Sequence, residues 1–159
     1  MTSRAKTSVA KTCTPHPTAA VTYQASPFPC GLLTAASNSS GDIYFGGSKC
    51  QQADLQCNSS GDLHIKGLEC THLIATATSS GDLRLQGKCE QAKYTASSSG
   101  DIDAGNMEAR HVDANASSAG DISCHASESL NAHTSGGGSI AYSGNPVQVS
   151  ASGKDIQKR

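Results

Sequence analysis

Ser59-Ser60-Gly61-Asp62-Leu63-His64-Ile65 returns twenty residues later as Ser79-Ser80-Gly81-Asp82-Leu83-Arg84-Leu85. The same phrase, glycine then aspartate then Ile or Leu, is found at Gly41, Gly61, Gly81, Gly100 and Gly120. A weaker member stands at Gly138, where Gly-Gly-Ser-Ile replaces it. The spacings are 20, 20, 19, 20 and 18 residues. A fixed period of this length is the signature of a solenoid, in which each repeat buries its apolar side only against its neighbours.

Counting each repeat from its glycine, positions 3 and 5 hold Ile43 and Phe45, Leu63 and Ile65, Leu83 and Leu85, Ile102 and Ala104, Ile122 and Cys124, Ile140 and Tyr142. Positions 13, 15 and 17 hold Ala53, Leu55 and Cys57, then Leu73, Ala75 and Ala77, then Ala92, Tyr94 and Ala96, and so on through Leu130, Ala132 and Thr134. Polar residues stand between them. This alternation has a period of two, so each repeat contains short strands with one buried face. A helix is excluded, because glycine and Ser-Ser punctuate every repeat and no 3.6-residue pattern survives.

The expected fold is therefore an all-β, right-handed, single-stranded parallel β-helix of about six 20-residue coils. The hand follows from the near-universal handedness of parallel crossovers. A coil this short encloses a narrow interior, which accounts for the many alanines and the scarcity of aromatics. Residues 21–153 form the solenoid in this reading. Val21–Ser40 is a degenerate first coil with Tyr23, Ala25, Phe28, Leu33 and Ala35 facing in. Pro27 and Pro29 suit an edge row, where not every ladder hydrogen bond is needed. Gly138–Ser152 is a shortened last row with Ile140, Tyr142, Val147 and Val149 inward. Residues 1–20 and 154–159 show no pattern and read as loose ends.

Bulk properties narrow the function. The 159 residues carry a net charge of -1 with a pI near 6.6, so nothing in the charge balance suits nucleic acid. No run is long and apolar enough for a transmembrane helix, and Met1–Ala20 contains no apolar core of a signal peptide. As written the chain reads as soluble. The seven cysteines include no C-x-x-C pair, which argues against a zinc knuckle or a dithiol redox motif.

Stacking converts each repeat position into a column. Position 10 aligns Cys30, Cys50, Cys70 and Cys89, roughly one strand spacing apart. A metal or redox ladder is one reading. An inward column of small apolar side chains is the stronger one, since free cysteine buries well and stacked parallel side chains suit a disulfide poorly. Position 2 aligns Asp42, Asp62, Asp82, Asp101 and Asp121. Calcium held between rows would need several oxygens per ion. A turn role, with each carboxylate accepting backbone N–H bonds, is the simpler account. The histidines His64, His72, His111, His125 and His133 fall on outward positions, and no two occupy adjacent rows of one column. Asp103, Glu108 and Asp113 are scattered around one coil, so no carboxylate pair suggests a glycosidase. No cofactor is expected.

The outward face at positions 16 and 18 carries Gln56 and Asn58, Thr76 and Thr78, Thr95 and Ser97, Asn115 and Ser117. It is flat, polar and nearly uncharged. Such a face can hydrogen-bond a glycan or order water, although only one row has threonine at both positions, as an ice-binding surface would require throughout.

The repeats, together with the ending Ser135-Gly-Gly-Gly-Ser-Ile-Ala-Tyr-Ser-Gly-Asn-Pro146 and its Tyr-x-Gly-x-Pro pattern, resemble the putative auto-transporter adhesin family, also called the head GIN domain. The resemblance covers about residues 31–153. It implies a right-handed parallel β-helix and a place in the bacterial cell envelope or outside the cell. It brings no catalytic motif. Members of that family carry an export signal and a further β-rich N-terminal portion. Met1–Ala20 supplies neither, so the chain reads as a shortened frame whose open coil ends invite self-association. The expected function is a non-enzymatic surface module presenting a rigid face to a glycan or protein partner. A glycan-active enzyme on the same scaffold, or a purely structural solenoid, are the alternatives.

Overall fold

The computed structural model describes residues 11–13, 21–24, 30–37, 42–58 and 60–159. These contain no helix. The strands are β1 (Lys11–Cys13), β2 (Val21–Gln24), β3 (Cys30–Ser37), β4 (Ile43–Cys57), β5 (Leu63–Ala77), β6 (Leu83–Ala96), β7 (Ile102–Ser118), β8 (Ile122–Gly136), β9 (Ile140–Ser143), β10 (Gln148–Ser152) and β11 (Ile156–Lys158). Every pairing is parallel, in the order β1-β3-β4-β5-β6-β7-β8-β9-β11, with β2 on β4 and β10 on β8. Each long strand is nearly a whole coil, so the chain stacks upon itself as a β-helix of about six turns.

Each long strand bends twice. Between β4 and β5 the ladder runs from Ile43 to Gly46, from Ser48 to Cys50 and from Gln52 to Cys57, skipping Gly47 and Gln51. The first corner needs glycine: Gly47 and Gly67 stack there at φ 53 and 70, a region L side chains rarely enter. The third corner is the Ser-Ser turn. Its strained residue is a serine, at φ 70 in Ser79, 64 in Ser98 and 60 in Ser118, with Gly136 taking over opposite Ser118. The repeat glycine that follows serves a different purpose. A Cβ on Gly120 would come within 2.9 Å of the Gly100 carbonyl oxygen and 3.0 Å of the Ala96 carbonyl carbon. That glycine is present because each turn sits directly on the one before it.

The interior follows the period-two reading. Ile43, Leu63, Leu83, Ile102, Ile122 and Ile140 form one buried column, matched in register from coil to coil. A second column runs Leu55, Ala75, Tyr94, Ala114, Ala132. Tyr94 fits because its neighbours above and below are alanines. Its hydroxyl is buried and meets no hydrogen-bond partner among the described residues. Burial pushes its pKa well above the usual tyrosine range, and the nearby Cys89, Cys124 and Cys70 add to this.

Several expectations change at the ends and on the middle run. Lys11–Cys13, read as loose, pairs with Leu33–Ala35. Ile156–Lys158, also read as loose, pairs with Ile140–Tyr142. An end rung needs only backbone partners on one side, so it leaves no alternation in the sequence. Val21 lies opposite Ile43, 22 residues on, whereas Leu33 lies opposite Ala53, 20 residues on. The first coil is thus two residues longer than the repeat, and its Ala25, Pro27, Phe28 and Pro29 lie outside the described residues. Val147 and Val149, read as inward, are not: Val149 pairs with Leu130 but is 47% exposed, and Val147 is 89% exposed. The middle run also has an inward face. Leu68, Met107, Ala109 and Ala126 are buried there, although irregular spacing hides them in the sequence.

Candidate functional site

Three surfaces carry polar chemistry. The first is the aspartate column. The Asp62 N–H donates to Asp42 Oδ1 at 3.1 Å, that of Asp82 to Asp62 Oδ1 at 3.3 Å, and that of Asp121 to Asp101 Oδ1 at 3.0 Å. At the top, the Ser139 N–H and hydroxyl both donate to Asp121 Oδ1, at 2.9 and 2.8 Å. The carboxylates of Asp42, Asp62, Asp101 and Asp121 thus each tether the turn above. The cost of stacking like charges is visible at Asp82. Burial, with the charges of Asp62 and Asp101, raises its pKa above the ordinary carboxylate value, against a smaller opposing effect of Arg84 and the Asp101 N–H. Among the described residues no three His, Cys, Asp or Glu groups converge as a metal site would require.

The second surface is the outer side of the run from Gln52 to Cys57 and its equivalents. It contains the face read from sequence. Gln56, Thr76, Thr95 and Asn115 form one matched column, continued by His133. Thr78 Oγ1 donates to Asn58 Oδ1 at 3.1 Å, and Ser117 Oγ donates to the Ala96 carbonyl at 3.4 Å, so part of the position-18 column braces the turn. Beside this flat part the same run is hollowed into a groove of about 570 Å³. Its length is lined by Gln52, His72, Gln91, His111 and Ser129, one from each of five successive coils. The parallel column Ile74, Lys93, Asp113 and Asn131 borders it. Ile74, 36% exposed, adds an apolar contact. Asn131 Nδ2 and Asn115 Nδ2 both donate to Asp113 Oδ1, at 3.4 and 3.1 Å.

One end of the groove is held in place. His111 Nδ1 lies 2.8 Å from Ser129 Oγ, and His111 Nε2 lies 3.5 Å from Glu128 Oε2. Arg110 engages the other oxygen of Glu128 at 2.6 Å. Ser129, His111 and Glu128 thus come together, but Glu128 is committed to Arg110, and the set fixes the imidazole's orientation. The sequence marks His111 as outward but does not mark the groove: its signal is the column of amides and imidazoles at position 12, in which Gln91 interrupts the histidines.

The third surface lies around the next corner. Lys49, Glu69, Lys88 and Glu108 form one column of alternating charge, with His125 next in register. Lys49–Glu69 and Lys88–Glu108 are ion pairs at 2.7 and 3.0 Å. Lys88 holds the Glu108 carboxyl below the usual range. A glycosidase acid needs the opposite displacement. Beside it runs the cysteine column, Cys50, Cys70, Cys89, in register. Cys50 and Cys70 are only partly buried, so the column lies at the corner and is not fully inward as expected. No disulfide joins Cys50, Cys57, Cys70, Cys89 and Cys124 to one another. Cys70 hydrogen-bonds with Cys50, which lowers its pKa, but the Cys89 thiol, burial and the Cys89 charge outweigh this and push it up to about 12. The side chain of Cys30, which pairs with Cys50 through its backbone, lies outside the described residues.

No protein with a curated description matches the chain. Among solved structures it is similar to a putative adhesin from Bacteroides fragilis, at 29% identity and a TM-score of 0.67, over 79% of this chain and 58% of that one. It is also similar to a putative lipid binding protein from Parabacteroides distasonis, at 25% identity and a TM-score of 0.63, over 87% of this chain and 60% of that one. The chain spans about three fifths of the length of each. The stacked parallel coils, the Ser-Gly-Asp turns and the match over residues 28–146 lead to one assignment: the chain belongs to the family described as putative auto-transporter adhesin, head GIN domain.

Proposed function

We propose that this chain is a non-enzymatic, adhesion-type module of the cell envelope that holds an extended glycan along the groove beside its flat polar face. The observation that carries this reading is the row Gln52, His72, Gln91, His111 and Ser129, one polar side chain per coil, with His111 and Ser129 bonded to each other at one end. Coils repeat about every 4.8 Å, so donors and acceptors recur at short, regular intervals along a straight line. A polymer of similar units can meet such a row repeatedly, and modest contacts then add up. Ile74 offers an apolar surface for the C–H face of a sugar ring, and Thr76, Thr95 and Asn115 extend the polar contact sideways. The family assignment and the Bacteroides fragilis adhesin support an adhesive role in the envelope.

The test is binding of the full chain to an array of extended glycans, with and without EDTA. Specific binding is expected, weakened about two- to tenfold by Q91A or H111A, since each removes a contact of about 0.5–1.5 kcal/mol. Placing lysine at Thr76 or Thr95 should weaken it further by crowding the flat side. Loss of binding with EDTA would move the site to the aspartate column. Absence of glycan binding, or binding indifferent to Gln91 and His111, would overturn the reading.

A further inference from the structure

The cysteine column has no part in the groove, and its geometry suits a ligand of its own. Cys50, Cys70 and Cys89 occupy the same position in three successive coils. Cys70 stands directly between Cys50 and Cys89 in this column. A cavity of about 640 Å³ opens onto Cys70 and Cys89 and gives access from solvent. Cys57 and Cys124 differ. Both are buried, and neither has a cysteine opposite it in the next coil, where Ser37 and Ala77, or Ala104 and Tyr142, stand instead.

Coil spacing selects what such thiols can bind. Parallel rungs lie about 4.7–4.9 Å apart. A disulfide needs its sulfurs about 2.05 Å apart, which stacked side chains pointing the same way reach only by distorting the coils. A metal–thiolate bond is about 2.3 Å, so a linear sulfur–metal–sulfur bridge spans about 4.6 Å and matches the rung spacing. The column is a line of thiols and does not converge on one point, so it cannot supply the four ligands of zinc or the six or more oxygens of calcium. Thiolate pairs select soft cations such as copper(I).

We propose that neighbouring thiols of Cys50, Cys70 and Cys89 form a two-coordinate site for a soft monovalent cation of the copper(I) or silver(I) class, seated between successive coils. On binding, two S–H bonds break, two sulfur–metal bonds form and two protons pass to solvent, with no change of oxidation state. The bridge carries a net negative charge, and the cavity beside it is lined by Lys88 and Arg110 together with Glu69, Glu90 and Glu108.

The experiment uses the full chain with Cys13 and Cys30 replaced by serine, so that Cys30 cannot pair with Cys50. Silver(I) is added in chloride-free buffer with excess monothiol competitor, and bound metal is read by native mass spectrometry. The competitor strips silver from an isolated thiol, whereas an adjacent pair holds it by chelation. Retained silver is expected in this background and in C50S, C89S and the C57S/C124S double variant, all of which keep an adjacent pair. C70S should lose it. If C70S does not fold, as judged by its β-type circular dichroism, the C50S/C89S variant isolates Cys70 and should show the same loss. Equal silver retention in C70S, loss in C57S/C124S, or no retained silver in the background would each overturn the proposal.

Discussion

The backbone N–H of Asp121 donates to Oδ1 of Asp101, 3.0 Å away and one coil below. The contact repeats up the column and joins successive Ser-Gly-Asp turns through one carboxylate oxygen each. Asp101→Ala removes that acceptor and should cost about 0.5–1.5 kcal/mol. Asp101→Asn keeps an oxygen in place and should cost less. Urea unfolding of both variants checks this, and equal losses would show that the charge matters and the acceptor does not.

Asp82 presents the electrostatic counterpart. Its folded-state pKa is raised by burial and by Asp62 and Asp101, so the folded chain binds the proton more tightly than the unfolded chain does. Ionised Asp82 therefore destabilises the fold at neutral pH, and the penalty fades as pH falls through the raised value. Asp82→Asn should raise the melting temperature at pH 7. The advantage should vanish in acid, once the wild-type carboxyl is protonated in both states. Thermal unfolding across the acid range measures it, and an advantage independent of pH would refute the assignment.

Gly120 faces backbone atoms at 2.9 and 3.0 Å from where a Cβ would stand. Gly120→Ala must push two turns apart and should destabilise the chain by about 1–3 kcal/mol. Gly105 is the control, with its nearest contact at 3.6 Å, to a side-chain oxygen of Asp103. Gly105→Ala should fall within about 0.5 kcal/mol of wild type.

Tyr94 is fully buried with its hydroxyl unpartnered among the described residues. Tyr94→Phe keeps the ring between Ala75 and Ala114 and removes the desolvated oxygen. It should leave stability unchanged or raise it by up to about 1 kcal/mol. A loss of more than that in denaturant unfolding would reveal a partner for the hydroxyl.

The repeat was legible because every coil meets the same physical demand. Ile43, Leu63, Leu83, Ile102 and Ile122 must fill one narrow column, so the same residue type recurs at a fixed interval. The corners were less legible. Gly67 reads as ordinary punctuation until its φ is known, and the strain at Ser118 is unmarked because serine is common in any turn. The inward residues of the middle run, Leu68 and Met107, were hidden by single-residue register shifts that place Gly87 between them.

By itself the sequence determined the parallel β-helix, its period, the two main buried columns and the family, since burial on one face of a short strand imposes a period of two on the chain. Tertiary structure decided the rest. Whether Cys70 faces the interior or the corner, whether Gln52, His72, Gln91, His111 and Ser129 line a groove or a flat wall, and where the end rungs lie all depend on how coils of unequal length bend and stack. That bending is set by contacts between residues some twenty positions apart, and these leave no local pattern to read.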